Sequence, residues 1–281
     1  MIQLIKKSSF VKNILKTRLG RYFQSSEGDW RYPWITLSWF IAGLLVPRRK
    51  VRCDGVQFTL SCTNPITHFR WHLFARKEAE VRKYINEHVR DGDVFFDVGA
   101  NVGVFTIYAA CRNQDARVYS FEPEHSNLAL LKENILANGL MNRVKITSVA
   151  VSDRQGLSFL HIQDTMPGAA AHTEHTKALE ITDEGYRVAW QEGIATATLD
   201  ALAEHWGVYP NSLKIDTDGN EDKVLRGASA VLNHEALRSL ALEMPLEKTK
   251  VAACEKMLKE AGFSLIWSQN NTRNQIWGKT R

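Results

Sequence analysis

The residues best equipped for chemistry in this chain are a set of carboxylates and one lysine. Lys214, Asp216, Asp218 and Glu221 crowd four charges into eight residues, and Glu243 closes the next apolar run. Carboxylates packed beside a cation and a pocket shift one another's proton affinity, which is how acid/base or cation sites are tuned. Asp216, Glu221 and Asp218 are therefore the candidate catalytic groups, with Asp216 foremost. Each also has an ordinary structural reading. A negative charge at a helix start is favourable in itself, which covers Glu221, and Asp218-Gly219 reads as a turn.

A second constellation is Asp97-Val-Gly-Ala-Asn-Val-Gly103, which follows the apolar run at 94–96 directly. Gly99 permits a tight turn after a strand, and Gly103 permits close approach of the following helix, whose positive end faces a ligand. Glu122 stands 25 residues after Asp97, in Val118-Tyr-Ser-Phe-Glu-Pro123. A carboxylate there accepts both hydroxyls of a ribose, so loop and acid together point to an adenosine-bearing cofactor. A dinucleotide loop needs a middle glycine where Asn101 stands, and that side chain would crowd a diphosphate. S-adenosylmethionine (SAM) has no diphosphate. The expected cofactor is SAM, bound by Asp97, Gly99, Ala100, Asn101, Gly103 and Glu122, with Ser152 and Asp153 at the adenine edge. Asp97 is read as holding the cofactor's ammonium group or a bridging water.

The elements that must position these residues alternate in kind. Strands are predicted at 93–98, 116–121, 144–151, 212–215 and 237–242, and helices at 102–112, 126–138, 199–206, 221–232 and 249–261. A closing hairpin follows at 263–268 and 274–277. Such alternation predicts an α/β fold with a doubly wound, mainly parallel sheet. A hairpin at 51–62 and a helix at 76–90 precede it. Residues 163–196 are the one long unpatterned stretch, expected to cover the substrate as a lid; His172 and His175 within it are minor candidates as proton acceptors.

With Ala150-Val-Ser-Asp153, Thr198-Leu-Asp200, Lys214-Ile-Asp-Thr-Asp-Gly-Asn-Glu221, Val224-Leu-Arg-Gly-Ala228 and Glu243 added, the motifs resemble the FkbM family of SAM-dependent methyltransferases, in order, from about residue 76 to 277. One departure is Gly219-Asn220, where the family usually has Gly-Ala. The resemblance implies a class I methyltransferase (Rossmann-like) fold of seven strands, and O-methylation of a hydroxyl on a sugar, glycan or glycosylated metabolite. The acceptor is then a small molecule or glycan. A nicotinamide-dependent oxidoreductase and a catalytically silent SAM-binding interaction module are the alternatives.

Charge is distributed unevenly. Residues 1–50 hold ten Lys and Arg against Glu27 and Asp29, a net +8 within an overall +5, so the catalytic body is slightly acidic. Nucleic acid is not an expected partner; the loop after the fourth strand also lacks the Pro-Pro-aromatic pattern of base methylation. Residues 1–24 read as a basic amphipathic helix. Residues 34–46 form an apolar run that spans only about 20 Å as a helix, short of a bilayer core. The chain is expected to be cytoplasmic, divided into an extension at 1–70 and a catalytic domain at 71–281. The first 50 residues would pack on the domain or on a second subunit, or alternatively attach to a membrane surface.

Cys53, Cys62, Cys111 and Cys254 show no paired spacing and read as packed thiols, with a Cys53–Cys62 disulfide as the minor alternative. No metal centre is expected; the weak alternative is an oxygen-ligand site of Asp216, Glu221 and Glu243. His68 and His72 have i, i+4 spacing but no intervening Glu of the metalloprotease kind.

Overall fold

The computed structural model describes residues 47–76, 79–170, 172–175, 188–269 and 272–279. The readings made for residues 1–46 lie outside these. Among the described residues, no helix is long and apolar enough to cross a membrane.

The chain begins with a hairpin of β1 (Arg48–Cys53) and β2 (Val56–Ser61) turned at Asp54-Gly55, followed by α1 (Pro65–Leu73) and α2 (Ala79–His88). The alternating core then runs β3 (Val94–Val98), α3 (Val104–Arg112), β4 (Arg117–Phe121), α4 (His125–Ala137) and β5 (Val144–Thr147). A second group of strands follows, β6 (Ala150–Val151), β7 (Gly156–Ile162), β8 (Thr173–His175) and β9 (Trp190–Ala197). The chain returns through α5 (Leu199–Trp206), β10 (Ser212–Ile215), α6 (Glu221–Arg226), α7 (Ser229–Asn233), β11 (Ser239–Glu243), α8 (Lys248–Glu260), β12 (Phe263–Ser268) and β13 (Asn274–Lys279).

Seven of these strands form the main sheet in the order β12-β13-β11-β10-β3-β4-β5. β10, β11, β3, β4 and β5 pair in parallel, and β13 runs antiparallel to both β11 and β12. This is the doubly wound sheet with its closing hairpin. Both faces of the central strands are covered, as a parallel sheet requires. Phe95 packs under α3, α4 and the β1–β2 hairpin, and its neighbour Phe96 packs on the opposite face with Leu213, Ile215 and Leu240. β3 lies between β10 and β4, so strand order reverses there and a crevice opens beyond the carboxyl ends of β3 and β10.

Four features depart from the sequence reading. The predicted strand at 144–151 is two strands, because the chain leaves the main sheet after Thr147 and Ala150–Val151 pairs with β9. The stretch at 163–196 is only partly irregular: β8 and β9 join β6 and β7 in a second sheet ordered β6-β9-β7-β8. Its pattern was hard to read because only Ile194 and Thr196 alternate inward in β9, while β7 exposes Leu157 and buries His161. The single helix predicted at 221–232 is α6 and α7. A Cβ on Gly227 would stand 2.1 Å from the Ser152 carbonyl oxygen, and α7 starts afresh, its Ala230 and Val231 N–H groups donating to the Asp200 carboxylate at 2.9 and 2.8 Å. Finally, α1 was not anticipated, although Asn64-Pro-x-Thr67 forms a capping box that is legible in sequence.

All four cysteines are free thiols. Cys53 pairs with Val56 beside the hairpin turn, whereas Cys62 lies beyond the far end of β2, so the hairpin does not bring the two sulfurs together.

Candidate functional site

The crevice holds a cavity of about 290 Å³, lined in part by Gly99, Ala100, Asn101, Glu122, Asp216 and Asp218. Its floor is the loop after β3. Gly99 has φ +75°, and a Cβ there would come 1.7 Å from the Asp216 carbonyl oxygen, so strand geometry alone demands glycine. The Gly99 and Ala100 N–H groups both donate to the Phe121 carbonyl at 3.0 Å, tying the loop to the end of β4. Asn101 adopts the left-handed region at φ 50°, one of the few side chains that does so readily.

Glu122 is the buried carboxylate at this junction. One oxygen accepts from Asn101 N–H at 2.7 Å and the other from Glu124 N–H at 3.0 Å. Burial pushes its carboxyl up to about 7, although those N–H groups favour the ionised form. Each oxygen has spare acceptor capacity and the side chain lines the cavity, so the two acceptors suit the hydroxyls of a vicinal diol.

Asp97 is fully buried and does not line the cavity. It pairs with Lys214 Nζ at 3.1 Å and accepts from the Thr106 hydroxyl at 2.6 Å. It therefore holds the loop from behind rather than reaching a ligand's ammonium group. Lys214, itself buried, also donates to the Gly99 carbonyl at 3.1 Å and lies 3.6 Å from Asp216. Gly103 does not line the cavity either: at φ +83° it starts α3, and a Cβ there would meet Leu131 at 2.2 Å. Ser152 and Asp153 lie outside the cavity, with Asp153 paired to Arg226 at 3.3 Å. The wall on that side is Val149, Ala150, Val151 and Leu160.

Asp216, Asp218 and Glu243 converge, with carboxylate oxygens within 4.8 Å of one another. Burial favours the neutral form of Asp216, but Lys214 and a hydrogen bond from Glu243 outweigh it and hold Asp216 below the usual carboxylate range. Glu243 moves the opposite way. Burial and then the neighbouring Asp216 charge raise it well above the usual range, against the pull of Arg273 at 2.8 Å. The two carboxyl groups are thus driven in opposite directions, Asp216 toward its ionised form and Glu243 toward its protonated form.

Glu221 is not part of this group. Fully buried, it accepts from Thr217 N–H and Gly219 N–H at 3.0 Å each, and so staples the loop that carries Asp216 and Asp218. The carboxylates that converge are Asp216, Asp218 and Glu243, not the Asp216, Glu221 and Glu243 of the weak alternative, and two of them already face Lys214 and Arg273.

Over the loop lies part of the predicted lid. The Asn101 side chain donates to the Ala169 carbonyl at 2.6 Å, Asn64 to the Pro167 carbonyl at 2.8 Å, and Arg70 to the Gly168 carbonyl. Gly168 N–H returns a bond to Asn127 at 2.6 Å. His172 lines the cavity, and burial lowers its pKa, keeping the imidazole neutral. Residues 176–187 of the same stretch lie outside the described residues. Sequence reasoning missed Arg70, Asn127 and Arg273. They are isolated polar residues in unremarkable contexts, and only the tertiary fold gathers them.

Residues 97–265 match the Methyltransferase FkbM domain. The 31-O-demethyl-FK506 methyltransferase FkbM of Streptomyces tacrolimicus is 28% identical over 65% of this chain and 76% of its own. Hexuronic acid methyltransferase AglP of Haloferax volcanii is 28% identical over 75% of this chain and 78% of its own. A crystal structure of Methyltransferase FkbM from Methylobacillus flagellatus KT aligns with a TM-score of 0.48 at 12% identity; it covers 76% of this chain, which spans about half (52%) of that protein.

Proposed function

The chain belongs to the FkbM methyltransferase family and is a SAM-dependent methyltransferase of the class I fold, and we propose that it methylates a hydroxyl of a sugar, glycan or glycosylated metabolite. The carrying observation is the convergence of the Asp216 and Glu243 carboxyl groups at the rim of the cavity, and we read the pair as holding one proton between them. By name, one relative is a 31-O-demethyl-FK506 methyltransferase and another a hexuronic acid methyltransferase, which supports O-methylation and a sugar acid acceptor separately.

When bound, SAM supplies an electrophilic methyl group. Glu122 accepts the ribose hydroxyls, and the apolar wall from Val149 to Val151 takes the adenine. Asn101 and Gly99 shape the floor, while Asp97 and Lys214 keep that floor rigid from beneath. Positioning accounts for much of the acceleration of an in-line displacement, and a hydroxyl additionally needs a group to take its proton. The carboxyl pair takes it. The doubly ionised pair is the strong base, because the first proton it gains is the one bound with raised affinity. Glu221 acts through the loop it staples, and Asp218 lies at the mouth, where it contacts the acceptor.

The test is to supply methyl-labelled SAM with hexosides and hexuronides and to locate the label by NMR. A label in an ether O-methyl group supports the reading. A label on nitrogen, carbon or a carboxyl ester contradicts it.

A further inference from the structure

A second cavity, of about 300 Å³, adjoins the first and shares Arg70, Val104, Phe105 and Ala170 with it. Its apolar wall comes from Ile66, Phe69, Leu73 and Phe74 at α1, with Val104 and Phe105 from α3. Ile66, Phe69, Arg70 and Leu73 fall at i, i+3, i+4 and i+7, so one stripe of α1 faces the space. Phe69 remains 52% exposed at the mouth of this space. The volume is at the lower end of the range for small-ligand pockets, enough for an alkyl or single-ring group.

Arg70 stands where the two cavities meet. Its Nε is occupied by the Gly168 carbonyl, and its terminal amino groups make no hydrogen bond among the described residues. Its charge also reaches Asp216. A guanidinium held by one edge, with its other edge open and an apolar wall beside it, fits a carboxylate or phosphate attached to an apolar group. Residues 66–74 lie outside the part of the chain that matches the family, 97–265, whereas Val104 and Phe105 lie within it.

We propose that the second cavity takes the apolar portion of an anionic methyl acceptor, whose charged group is held by Arg70 at the junction with the cofactor crevice. The assignment rests on the reading of the first cavity as the site of methyl transfer, and it narrows the acceptor to an amphipathic anion.

The test is calorimetry on the full chain saturated with S-adenosylhomocysteine, using hexyl β-D-glucuronide, hexyl β-D-glucoside, methyl β-D-glucuronide and hexyl phosphate. The hexyl glucuronide is expected to bind about tenfold or more tightly than either the glucoside or the methyl glucuronide. Leu73→Trp, which fills the cavity, should remove the hexyl advantage and leave S-adenosylhomocysteine affinity unchanged. Arg70→Met should level the glucuronide with the glucoside. Tighter binding of hexyl phosphate than of hexyl glucuronide identifies phosphate as the anion and supports the assignment. Equal binding of the hexyl glucuronide, the glucoside and the methyl glucuronide by the unsubstituted chain overturns it, whether or not the variants fold. A clear binding preference without methyl transfer to any probe counts against sugar hydroxyl methylation and leaves the pocket standing; transfer without preference does the reverse.

Discussion

Two carboxyl groups that face each other under a lysine and an arginine cannot both ionise freely, and the shared proton between Asp216 and Glu243 follows from that repulsion. Glu243→Gln leaves Asp216 alone beside Lys214 as a weak base. Its kcat should fall by about tenfold to a thousandfold, the range of a lost general base, while S-adenosylhomocysteine binding persists. Asp216→Asn should lower kcat comparably, since it removes the other half of the pair; near-normal turnover in both variants would exclude the pair as proton acceptor. Glu122→Ala should weaken S-adenosylhomocysteine binding by about 2–4 kcal/mol, the worth of charge-assisted hydrogen bonds to two hydroxyls, as read by calorimetry. At this scale the sequence was informative about which residues matter and less so about how. Asp216, Glu122 and Gly99 stand in the cavity as their motif positions suggested. Asp97 and Glu221 do not, because a carboxylate at a strand end or helix start can as easily turn into the protein, and only its partners, Lys214 for one and the Thr217 and Gly219 N–H groups for the other, decide which.

Elements are set by where backbones approach. Gly227 stands between α6 and α7, where the Ser152 carbonyl occupies the place a Cβ would take, so only glycine fits. Gly227→Ala should therefore destabilise the fold by about 2–4 kcal/mol in denaturant titrations, as overpacking against backbone does, and a change under about 0.5 kcal/mol would show that the contact relaxes freely. Asp200→Ala removes the acceptor for Ala230 and Val231 N–H and should cost about 1 kcal/mol. The main sheet was legible because its short apolar-rich strands alternate with helices of clear period, and β3 is buried along its whole length. The second sheet was not: β7 and β9 mix exposed Leu157 and Trp190 with buried His161 and Thr196, which erases the period-two signal.

For the molecule as a whole, the buried Glu122 links stability to pH. Its folded pKa, about 7, lies above the ordinary 4.5. The contribution is fully present below about pH 4.5 and is lost as pH rises through 7. Relative to Glu122→Gln, the ligand-free protein should lose up to about 3 kcal/mol between pH 5 and 8, measured by chemical denaturation; a constant difference between the two across that range would contradict it. S-adenosylhomocysteine at a hundredfold excess over its Kd should return about 2.7 kcal/mol by mass action.

These scales meet in the carboxyl pair, which the fold delivers to the crevice from the ends of two neighbouring strands, β10 and β11. The most direct measurement is the yield of labelled ether O-methyl product against pH, from methyl-labelled SAM, for the unsubstituted chain and for Glu243→Gln. The unsubstituted enzyme should gain rate steadily from about pH 6 to 9 as the shared proton is lost, and the variant should lack that rise. A flat profile for the unsubstituted enzyme, or the same rise in both proteins, would contradict a shared-proton pair acting on an acceptor hydroxyl.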